Sequence, residues 1–273
     1  MYILKLKTKE AYTMKVLTEL LQNCLKEGCF TFDQNGITLS GIDKKSKCGT
    51  ELVNLQLEKD KFVIFKCKFD KLHVGINLLH LYKMLKSIKK KDTLMLYIDD
   101  QKPLDLGIKI QQSGDNSSST SYIKITTLNP MEIEMPTGYG MPIITTSKEF
   151  QKLKTLNKIS KTLKITSSEK KIRFFCNKEN IFSRDIIIGE DDDKEENTEE
   201  ETLNEEYTQT FDTTQIIKLV KMASLSSIVQ IYIKKDLPLK VGLNIGSLGY
   251  ISIHIKSKES LDEEQESNDF EQP

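Results

Sequence analysis

Residues 129–142 constrain the fold of this 273-residue chain more than any other segment. The segment contains three prolines and two glycines. Proline removes a main-chain donor and fixes φ, and glycine favours turns, so neither a helix nor a long strand is expected here. The composition therefore predicts an extended linker with a folded region on each side, and the chain is long enough for two modest domains.

The same order of predicted elements occurs on both sides of this linker. In each half a strand leads into an amphipathic helix, and then a hairpin, further strands, a second helix and closing strands follow. The Asn35-Gly36 pair predicts a hairpin turn, and Asn77 and Asp212 predict the starts of two helices. We therefore predict an α+β fold with domains at residues 1–128 and 143–258.

Four predicted helices each combine an apolar face with a lysine-bearing face. They cover residues 10–26, 77–91, 147–161 and 213–224. In the second helix Leu78, Leu81 and Leu85 recur at steps of three and four, whereas Lys83 and Lys86 lie on another face. A single helix of this kind is ordinary, because exposed lysines commonly form a solvated face. Four repetitions instead indicate a surface for a polyanion such as a nucleic acid.

The formal net charge of zero conceals a separation of charge along the sequence. Eleven acidic residues lie within residues 190–206, and seven lie within residues 259–273. The rest of the chain has 22 acidic and 39 basic residues, so the folded body is predicted to be basic. We predict that residues 190–206 form an acidic loop and that residues 259–273 are a disordered tail.

The sequence lacks the patterns of a metal centre, a disulfide framework and a membrane span. The three histidines are scattered and the five cysteines form no CxxC pair, which fits a reducing compartment. No apolar run reaches the roughly 18 residues of a transmembrane helix, and the N-terminus has no signal-peptide pattern. The acidic residues are concentrated in one loop and one tail and none pairs with a histidine at a useful spacing, so no catalytic residue, metal ligand or cofactor is predicted.

Several motifs, taken in order, resemble the eukaryotic-type DNA sliding clamps of the proliferating cell nuclear antigen (PCNA) family. Residues 69–86 are similar to the family pattern D…L…GVNL…KILK. Residues 223–227 resemble its PLSS marker and residues 236–239 its DVPL marker, and Ile42-Asp43 also matches. The resemblance spans residues 1–258, and its strength lies in the order and spacing of the motifs together.

The resemblance implies the clamp fold, in which each chain has two similar domains with antiparallel sheets outside and two helices inside. In the family three chains close head to tail into a ring that encircles duplex DNA without reading its sequence. Such a ring has no catalytic residues and acts as a processivity factor by tethering replication and repair enzymes. The implied partners are duplex DNA, a DNA polymerase, a clamp loader and proteins with a PCNA-interacting-protein box.

The implied location is the nucleus, or a cytoplasmic replication site if the chain is viral. The abundant lysine, isoleucine and asparagine would suit a divergent clamp from a protist or a large DNA virus.

The predicted DNA contacts are lysines on the four helices. The resemblance carries over channel positions to Lys15, Lys83, Lys86, Lys152 and Lys158. Helical spacing within this sequence adds Lys154, Lys218 and Lys221. Flexible ammonium groups contact phosphates as point charges and read no bases, which suits a sliding protein.

The linker resembles the interdomain connecting loop of the family, to which partner proteins bind. The predicted partner-binding residues are Ile42, Ile133, Met135, Pro136 and Pro238. Apolar residues in a proline-rich loop can also pack on the sheet, but they more often mark a contact. The chain departs from the family at His254, where an aromatic residue is expected, and at Lys256, where a small residue is expected. Residues 44–47 are unusually rich in lysine. The family's modified lysine falls near Glu169 and Lys170, and we do not carry that modification over.

Edge strands form the contact between subunits in the family, and the matching segments here are residues 122–128 and 182–188. The predicted interface residues are Tyr122, Ile123, Ile125, Phe182, Ile186 and Ile188. Unpaired strand edges usually find a partner strand. We therefore predict that the two segments pair antiparallel between subunits of a homotrimer.

Three alternatives compete with this interpretation. A subunit of a heterotrimeric, checkpoint-type clamp would share the fold but would not trimerise alone. A DNA-processing enzyme would need converging carboxylates with a metal, or a nucleophile with its base. A DNA-bending saddle would need wedge phenylalanines on a concave sheet, whereas the lysines here are predicted on helices.

Overall fold

The computed structural model describes residues 1–43, 51–114, 117–168, 171–178, 181–189 and 207–270. The chain divides into two compact units. Unit 1 comprises Met1–Glu134 and Leu243–Ser252, and unit 2 comprises Met135–Gly242 and Ile253–Pro273. The predicted acidic loop 190–206 and the lysine-rich residues 44–47 lie outside the described residues, as do residues 169–170.

The strands of the first half pair antiparallel in two sheets. They are β1 (Tyr2–Thr8), β2 (Glu27–Asp33), β3 (Gly36–Ile42), β4 (Glu51–Glu58), β5 (Ile64–Cys67), β6 (Lys71–Asn77), β7 (Thr93–Asp99), β8 (Lys102–Gln111) and β9 (Ser118–Lys124). One sheet has the order β5-β1-β7-β8-β9, and the other places β4, β3, β2 and β6 side by side with β6 at its end. The helices are α1 (Ala11–Cys24) and α2 (Leu78–Leu85), which pack on each other.

The second half repeats this order of elements. Its strands are β10 (Ile143–Thr146), β11 (Thr162–Ser167), β12 (Lys171–Lys178), β13 (Phe182–Gly189), β14 (Tyr207–Asp212), β15 (Ile228–Tyr232), β16 (Leu239–Asn244) and β17 (Gly249–Ile255). Its helices are α3 (Ser147–Gln151), α4 (Thr213–Leu219) and α5 (Lys258–Phe270). One sheet has the order β13-β12-β11-β14, and β15 pairs antiparallel with both β10 and β16.

The local signals in the sequence correctly predicted where several elements begin. Asn77 caps α2, since its side-chain oxygen accepts a hydrogen bond from the His80 N–H at 3.0 Å. Asp212 caps α4 in the same way, at 2.7 Å from the Thr214 nitrogen. The turn at Asn35-Gly36 joins β2 to β3 as predicted. These predictions are confirmed because each depends on residues within a few positions.

All four predicted helices are shorter than predicted. After α2, Asp92 Oδ2 accepts the Lys89 N–H at 2.8 Å, so the chain turns before residue 91. Residues 152–158 and 220–224 continue α3 and α4 as 3₁₀-helix. In these segments the Thr155 and Ser224 hydroxyls donate to carbonyl oxygens three residues earlier, at 2.8 and 2.6 Å. Such bonds compete with the α-helical pattern and help to explain the tighter turns.

The prediction of a disordered tail at residues 259–273 is wrong for residues 259–270, which lie in α5 (Lys258–Phe270). The Glu259 carboxylate accepts the Thr210 N–H, with both oxygens 3.0 Å from the nitrogen. The Ser257 hydroxyl oxygen accepts the Ser260 N–H at 3.2 Å and so caps the start of the helix. The acidic composition gave no sign of the Glu259 contact, because it depends on a strand 49 residues earlier. Residues 271–273 lie outside the described residues.

Alternating burial shows how the strands supply the core. In β4, Val53, Leu55 and Leu57 are buried, whereas Gln56 and Glu58 are exposed. Within the described ranges, no helix is both long enough and apolar enough to cross a membrane.

Candidate functional surfaces

The predicted DNA contacts of unit 1 lie on the two helices, away from their buried leucines. Lys83 and Lys86 are exposed, near the end of α2. Lys15 on α1 is half-buried, and its Nζ donates to the Ile88 carbonyl oxygen at 3.0 Å and lies 5.4 Å from the Tyr12 ring centroid. Lys15 therefore also ties α1 to the residues after α2, which the sequence pattern did not indicate.

The predicted DNA contacts of unit 2 lie mostly on the 3₁₀ segments that follow α3 and α4. Four are exposed, namely Lys152, Lys154, Lys158 and Lys221, and Lys218 on α4 is half-buried. A 3₁₀-helix aligns residues three apart, so Leu153 and Leu156 share the buried face. For the same reason Lys152 and Lys158 share one face, and Lys154 lies on the next. The α3 helix packs on residues 220–224 and α4 packs on residues 152–158, which brings the five lysines onto one pair of helical segments.

The start of the connecting loop is fixed to unit 1. The Thr126 N–H donates to the Gly75 carbonyl oxygen at 2.9 Å, and Cys29 Sγ donates to the Leu128 carbonyl oxygen at 3.2 Å. Burial raises the pKa of the Cys29 thiol, which is consistent with a neutral donor. Ile42, predicted to bind partners, lines a cavity of about 300 Å³ together with this part of the loop.

The end of the connecting loop is fixed to unit 2 by a tyrosine. The Tyr139 hydroxyl donates to the carbonyl oxygen of Pro238, a predicted partner-binding residue, at 2.8 Å. Burial raises the pKa of the Tyr139 hydroxyl, so the group remains a neutral donor at ordinary pH. Between the two fixed ends, Ile133, Met135 and Pro136 are half-buried.

Tyr139 belongs to an aromatic cluster that the sequence reasoning missed. Its ring centroid lies 5.9 Å from that of Tyr232 and 6.1 Å from that of His254. The Lys240 Nζ lies 4.5 Å from the Tyr232 centroid and 5.4 Å from the Tyr139 centroid, so it makes cation–π contacts with both. Burial lowers the pKa of this ammonium group. The expected aromatic residue is thus absent at position 254, but a loop tyrosine packs beside the buried histidine there.

The predicted interface segments lie on terminal strands, β9 in one sheet and β13 in another. Tyr122 and Phe182 are exposed, and Ile125 and Ile186 are half-buried, whereas Ile123 and Ile188 belong to the core. Ile125 lies just beyond β9. Four of the six predicted interface residues are therefore at least partly exposed, whereas the other two are buried in the core.

The direction of the main chain in β9 determines which groups face its open edge. The Ile125 N–H donates to the Leu104 carbonyl oxygen of the adjacent β8 segment at 2.9 Å. Since residues along an antiparallel strand alternate in direction, the main-chain groups of Thr120, Tyr122 and Lys124 point away from β8. These groups are available to another strand.

The described residues contain no group of three or more histidine, cysteine, aspartate or glutamate side chains that could hold a metal ion. Among the described residues, Cys24, Cys29, Cys67 and Cys176 take part in no disulfide bond.

Two family models match the chain across nearly its whole length. The N-terminal domain of proliferating cell nuclear antigen matches residues 3–133, and its C-terminal domain matches residues 135–258. The chain belongs to the proliferating cell nuclear antigen family. The α+β clamp fold expected from the resemblance is therefore confirmed, with both PCNA domains present in one chain.

Curated relatives of the chain are similar over most of their length but distant in sequence. The chain is 24% identical over 255 residues to "Probable DNA polymerase sliding clamp 1" of Paramecium bursaria Chlorella virus 1, covering 92% of this chain and 95% of the relative. It is 23% identical over 265 residues to "Proliferating cell nuclear antigen" of Chaetomium thermophilum, covering 96% of this chain and 100% of the relative. The chain is thus a divergent DNA sliding clamp of the PCNA type, a family of clamps rather than of enzymes.

Proposed function

We propose that three copies of this chain close into a homotrimeric ring around duplex DNA and act as the processivity factor of a DNA polymerase. The terminal positions of β9 and β13 support this proposal most directly. Within the part of the chain that the structure describes, each strand has one edge that pairs with no other strand, and the two edges belong to different sheets. An antiparallel pairing of β9 with β13 of the next copy is a heterologous contact, which generates a closed ring when the rotation between copies is right.

In this proposal the lysines on the helices face the DNA. The eight predicted contacts are Lys15, Lys83, Lys86, Lys152, Lys154, Lys158, Lys218 and Lys221. Each ammonium group adds a weak, sequence-independent attraction to phosphate, and the closed ring supplies the lasting attachment. A clamp needs this division of roles because it must stay on the duplex and still move along it.

Partner proteins dock on the connecting loop in this proposal. The half-buried apolar residues of the loop support it, since they lie between two fixed ends and keep part of their surface exposed. The contacts are Ile133, Met135 and Pro136 of the loop, with Ile42 and Pro238. The partners include the polymerase, a clamp loader and repair proteins with a PCNA-interacting-protein box, in the nucleus or at a viral replication site in the cytoplasm. The chain itself has no catalytic role.

Light scattering after gel filtration tests the ring. The purified chain alone should have three times its monomer mass of 31.3 kDa. A monomer at micromolar concentration would contradict the homotrimer and would favour a subunit of a mixed ring.

Charge reversal tests the DNA surface. The double variant Lys83→Glu/Lys86→Glu should slow loading onto nicked circular DNA and increase loss at raised salt, because two phosphate contacts become repulsive. The control variant Lys66→Glu/Lys102→Glu changes the net charge equally at exposed positions on β5 and β8. Equal effects of the two variants would show that net charge matters and that the helices do not line the DNA.

A further inference from the structure

The ammonium group of Lys240 lies against two aromatic rings, beside the point where the connecting loop is fixed. Lys240 on β16 pairs with Tyr232 on β15, and its Nζ lies 4.5 Å from the Tyr232 ring centroid. The same Nζ lies 5.4 Å from the ring centroid of Tyr139, whose hydroxyl donates to the Pro238 carbonyl oxygen at 2.8 Å. All four residues belong to unit 2. A positive charge is therefore held next to the end of the loop and to Pro238, a predicted partner-binding residue.

This charge has no acidic partner within the described part of the chain. No described residue forms a salt bridge with Lys240, and burial lowers the pKa of its ammonium group. The faces of the two tyrosine rings replace part of the water that the ammonium group has lost. Charges that are removed from water are usually paired, because an unpaired charge costs free energy. A carboxylate brought to this point would therefore find a cation that is already partly desolvated.

The turn that precedes Lys240 adds further positive charge. Residues 232–240 contain three lysines and one acidic residue, Asp236. Lys234 and Lys235 are both exposed, and the Lys234 Nζ donates to the Gly138 carbonyl oxygen of the connecting loop at 2.7 Å. A local excess of one sign of charge attracts segments of the opposite sign and raises their rate of association. The surroundings of Lys240 therefore favour an acidic segment over a basic one.

We propose that Lys240 binds a carboxylate of the partner segment that docks on the connecting loop, so that this clamp selects segments with an aspartate or glutamate beside their apolar anchor. The inference rests on the proposed function, which places partner proteins at the loop. The two rings hold the stem and head of the lysine, and the ammonium group has three N–H donors with which to bind a carboxylate. Such a hydrogen bond is charge-assisted on both sides.

The same geometry penalises a partner segment that has no carboxylate. A purely apolar segment would cover Lys240 and remove its remaining water without supplying a partner for the charge. Burial of an unpaired ammonium group is costly, so such a segment would lose affinity that an acidic one keeps. Lys240 is therefore expected to discriminate in both directions, by attraction to a carboxylate and by a penalty where the carboxylate is missing.

Peptide binding to the purified full-length chain tests the inference. The probes are synthetic peptides that carry a PCNA-interacting-protein box, with a glutamate moved one position at a time through the residues that flank the apolar anchor. Each has a twin with glutamine at that position. We expect at least one glutamate peptide to bind the wild type about 10-fold more tightly than its glutamine twin, since hydrogen bonds between charged groups are among the stronger ones.

Substitutions in the chain show whether Lys240 causes that preference. Lys240→Met keeps the apolar stem and removes the charge, so the two twins should bind it almost equally. Lys240→Arg keeps the charge against the rings and should keep the preference for glutamate. Lys235→Met is the matched control, because it removes the same charge from an exposed position in the adjacent turn, and the ratio between the twins should stay as in the wild type. The four affinities of wild type and Lys240→Met with the two twins form a double-mutant cycle that isolates the coupling between Lys240 and the glutamate.

The inference is overturned if no glutamate peptide binds the wild type more tightly than its twin. It is equally overturned if the preference survives in Lys240→Met, or if Lys235→Met abolishes it to the same extent. The comparison of twins on the wild type needs no variant, so it remains decisive should Lys240→Met fail to fold. A wild-type chain that binds none of the peptides would contradict docking on the loop and the role of Lys240 with it, whereas binding without a preference for glutamate would contradict the role of Lys240 alone.

Discussion

The two units each cover one exposed sheet edge, but they use different chemistry. In unit 1 the segment after β9 crosses the edge strand β6, and the Thr126 N–H donates to the Gly75 carbonyl oxygen at 2.9 Å. In unit 2 the segment after β17 reaches the edge strand β14, and the Glu259 carboxylate accepts the Thr210 N–H. The first contact joins two main chains, and the second depends on one ionisable side chain.

The two contacts therefore differ in their expected response to pH. A main-chain bridge beside a glycine depends on close approach and is insensitive to pH. A carboxylate that accepts a main-chain N–H is charge-assisted and strong, but protonation weakens it. Unit 1 therefore holds the start of the connecting loop constantly, whereas the edge of unit 2 can respond to its surroundings. Two further terminal strands, β9 and β13, are the edges that we propose for assembly.

The largest effect is expected from removing a main-chain hydrogen-bond donor at the open edge of β9. Thr120→Pro removes a main-chain N–H that points away from β8, so the sheet of unit 1 keeps its own bonds. We expect the trimer to dissociate, which light scattering would show as a threefold loss of mass. Thr120→Ala is the control and should remain a trimer. A trimeric Thr120→Pro variant with normal stability would exclude this edge from the subunit contact.

The next largest effect is expected at Gly75 on β6, the edge strand that the main chain of Thr126 covers in unit 1. A Cβ at Gly75 would lie 2.3 Å from the Thr126 carbonyl oxygen and 2.8 Å from Leu128 Cγ. Gly75→Ala should therefore lower the free energy of unfolding by about 1–3 kcal/mol, as overpacking typically does. Calorimetry should show a melting temperature lower by several degrees.

Gly140→Ala, at a position in the connecting loop, provides the comparison. Apart from its chain neighbours, no atom of the described residues lies within 4 Å of a Cβ at Gly140. This variant should have the same melting temperature as the wild type. If both alanine variants melted alike, the close approach at Gly75 would not be what holds the start of the loop.

A smaller and pH-dependent effect is expected at the edge that Glu259 closes. Burial by itself would raise the pKa of this carboxyl, but main-chain and side-chain hydrogen bonds, including those from Thr210 and Ser257, outweigh it and hold the pKa below its ordinary value. Because the docked form has the lower pKa, docking is fully stabilised above the ordinary glutamate pKa and is lost as the pH falls through the docked value. The Thr210 amide signal should therefore shift in NMR spectra as the pH falls below the ordinary glutamate pKa.

Glu259→Gln should remove most of that titration, since the amide cannot ionise. The Thr126 amide signal in unit 1 serves as the internal reference and should move little over the same range. A Thr210 shift that survived in Glu259→Gln would assign the titration to another group.

The smallest effect concerns a tyrosine pair beside the open edge of β9. The Tyr97 and Tyr122 hydroxyl oxygens are 3.1 Å apart, and burial followed by this hydrogen bond raises the pKa of Tyr97 to about 12. The folded state therefore keeps Tyr97 neutral, and this contribution to stability is present below pH 10 and is lost as the pH rises through about 12. Ultraviolet titration of Tyr122→Phe should show Tyr97 ionising at a lower pH than in the wild type. An unchanged titration would mean that the hydrogen bond does not contribute to the shift.

Much of the fold followed from local sequence patterns. The caps at Asn77 and Asp212, the Asn35-Gly36 turn and the apolar stripes of the helices each depend on neighbours within one or two turns. The ends of the helices did not follow from periodicity. Apolar spacing continues past Leu85, yet α2 ends there and the Asp92 side chain bonds the turn that follows. The Thr155 and Ser224 hydroxyls favour 3₁₀-helix after α3 and α4. Apolar spacing contains no information about such side-chain hydrogen bonds.

The candidate surfaces divide in the same way. The exposure of Lys83, Lys86 and most of the predicted DNA contacts of unit 2 agrees with the spacing of lysines predicted from the sequence. The pattern could not show that Lys15 also donates to Ile88, 73 residues away. It also overlooked Tyr139, although this is the one tyrosine in the linker, because the signal becomes meaningful only once Tyr232 and His254 lie beside it.

By itself the sequence determined the repeated α+β order, the proline-rich linker, the basic helix faces and the family, because these depend on composition and short-range spacing. Tertiary structure alone decided that the acidic tail begins as a helix on β14 and that Tyr139 anchors the loop. The deciding contacts join residues 49 and 99 positions apart, from Thr210 to Glu259 and from Tyr139 to Pro238. A segment of high charge cannot stabilise itself by burying apolar surface, so its structure depends on a partner strand that its own residues do not specify.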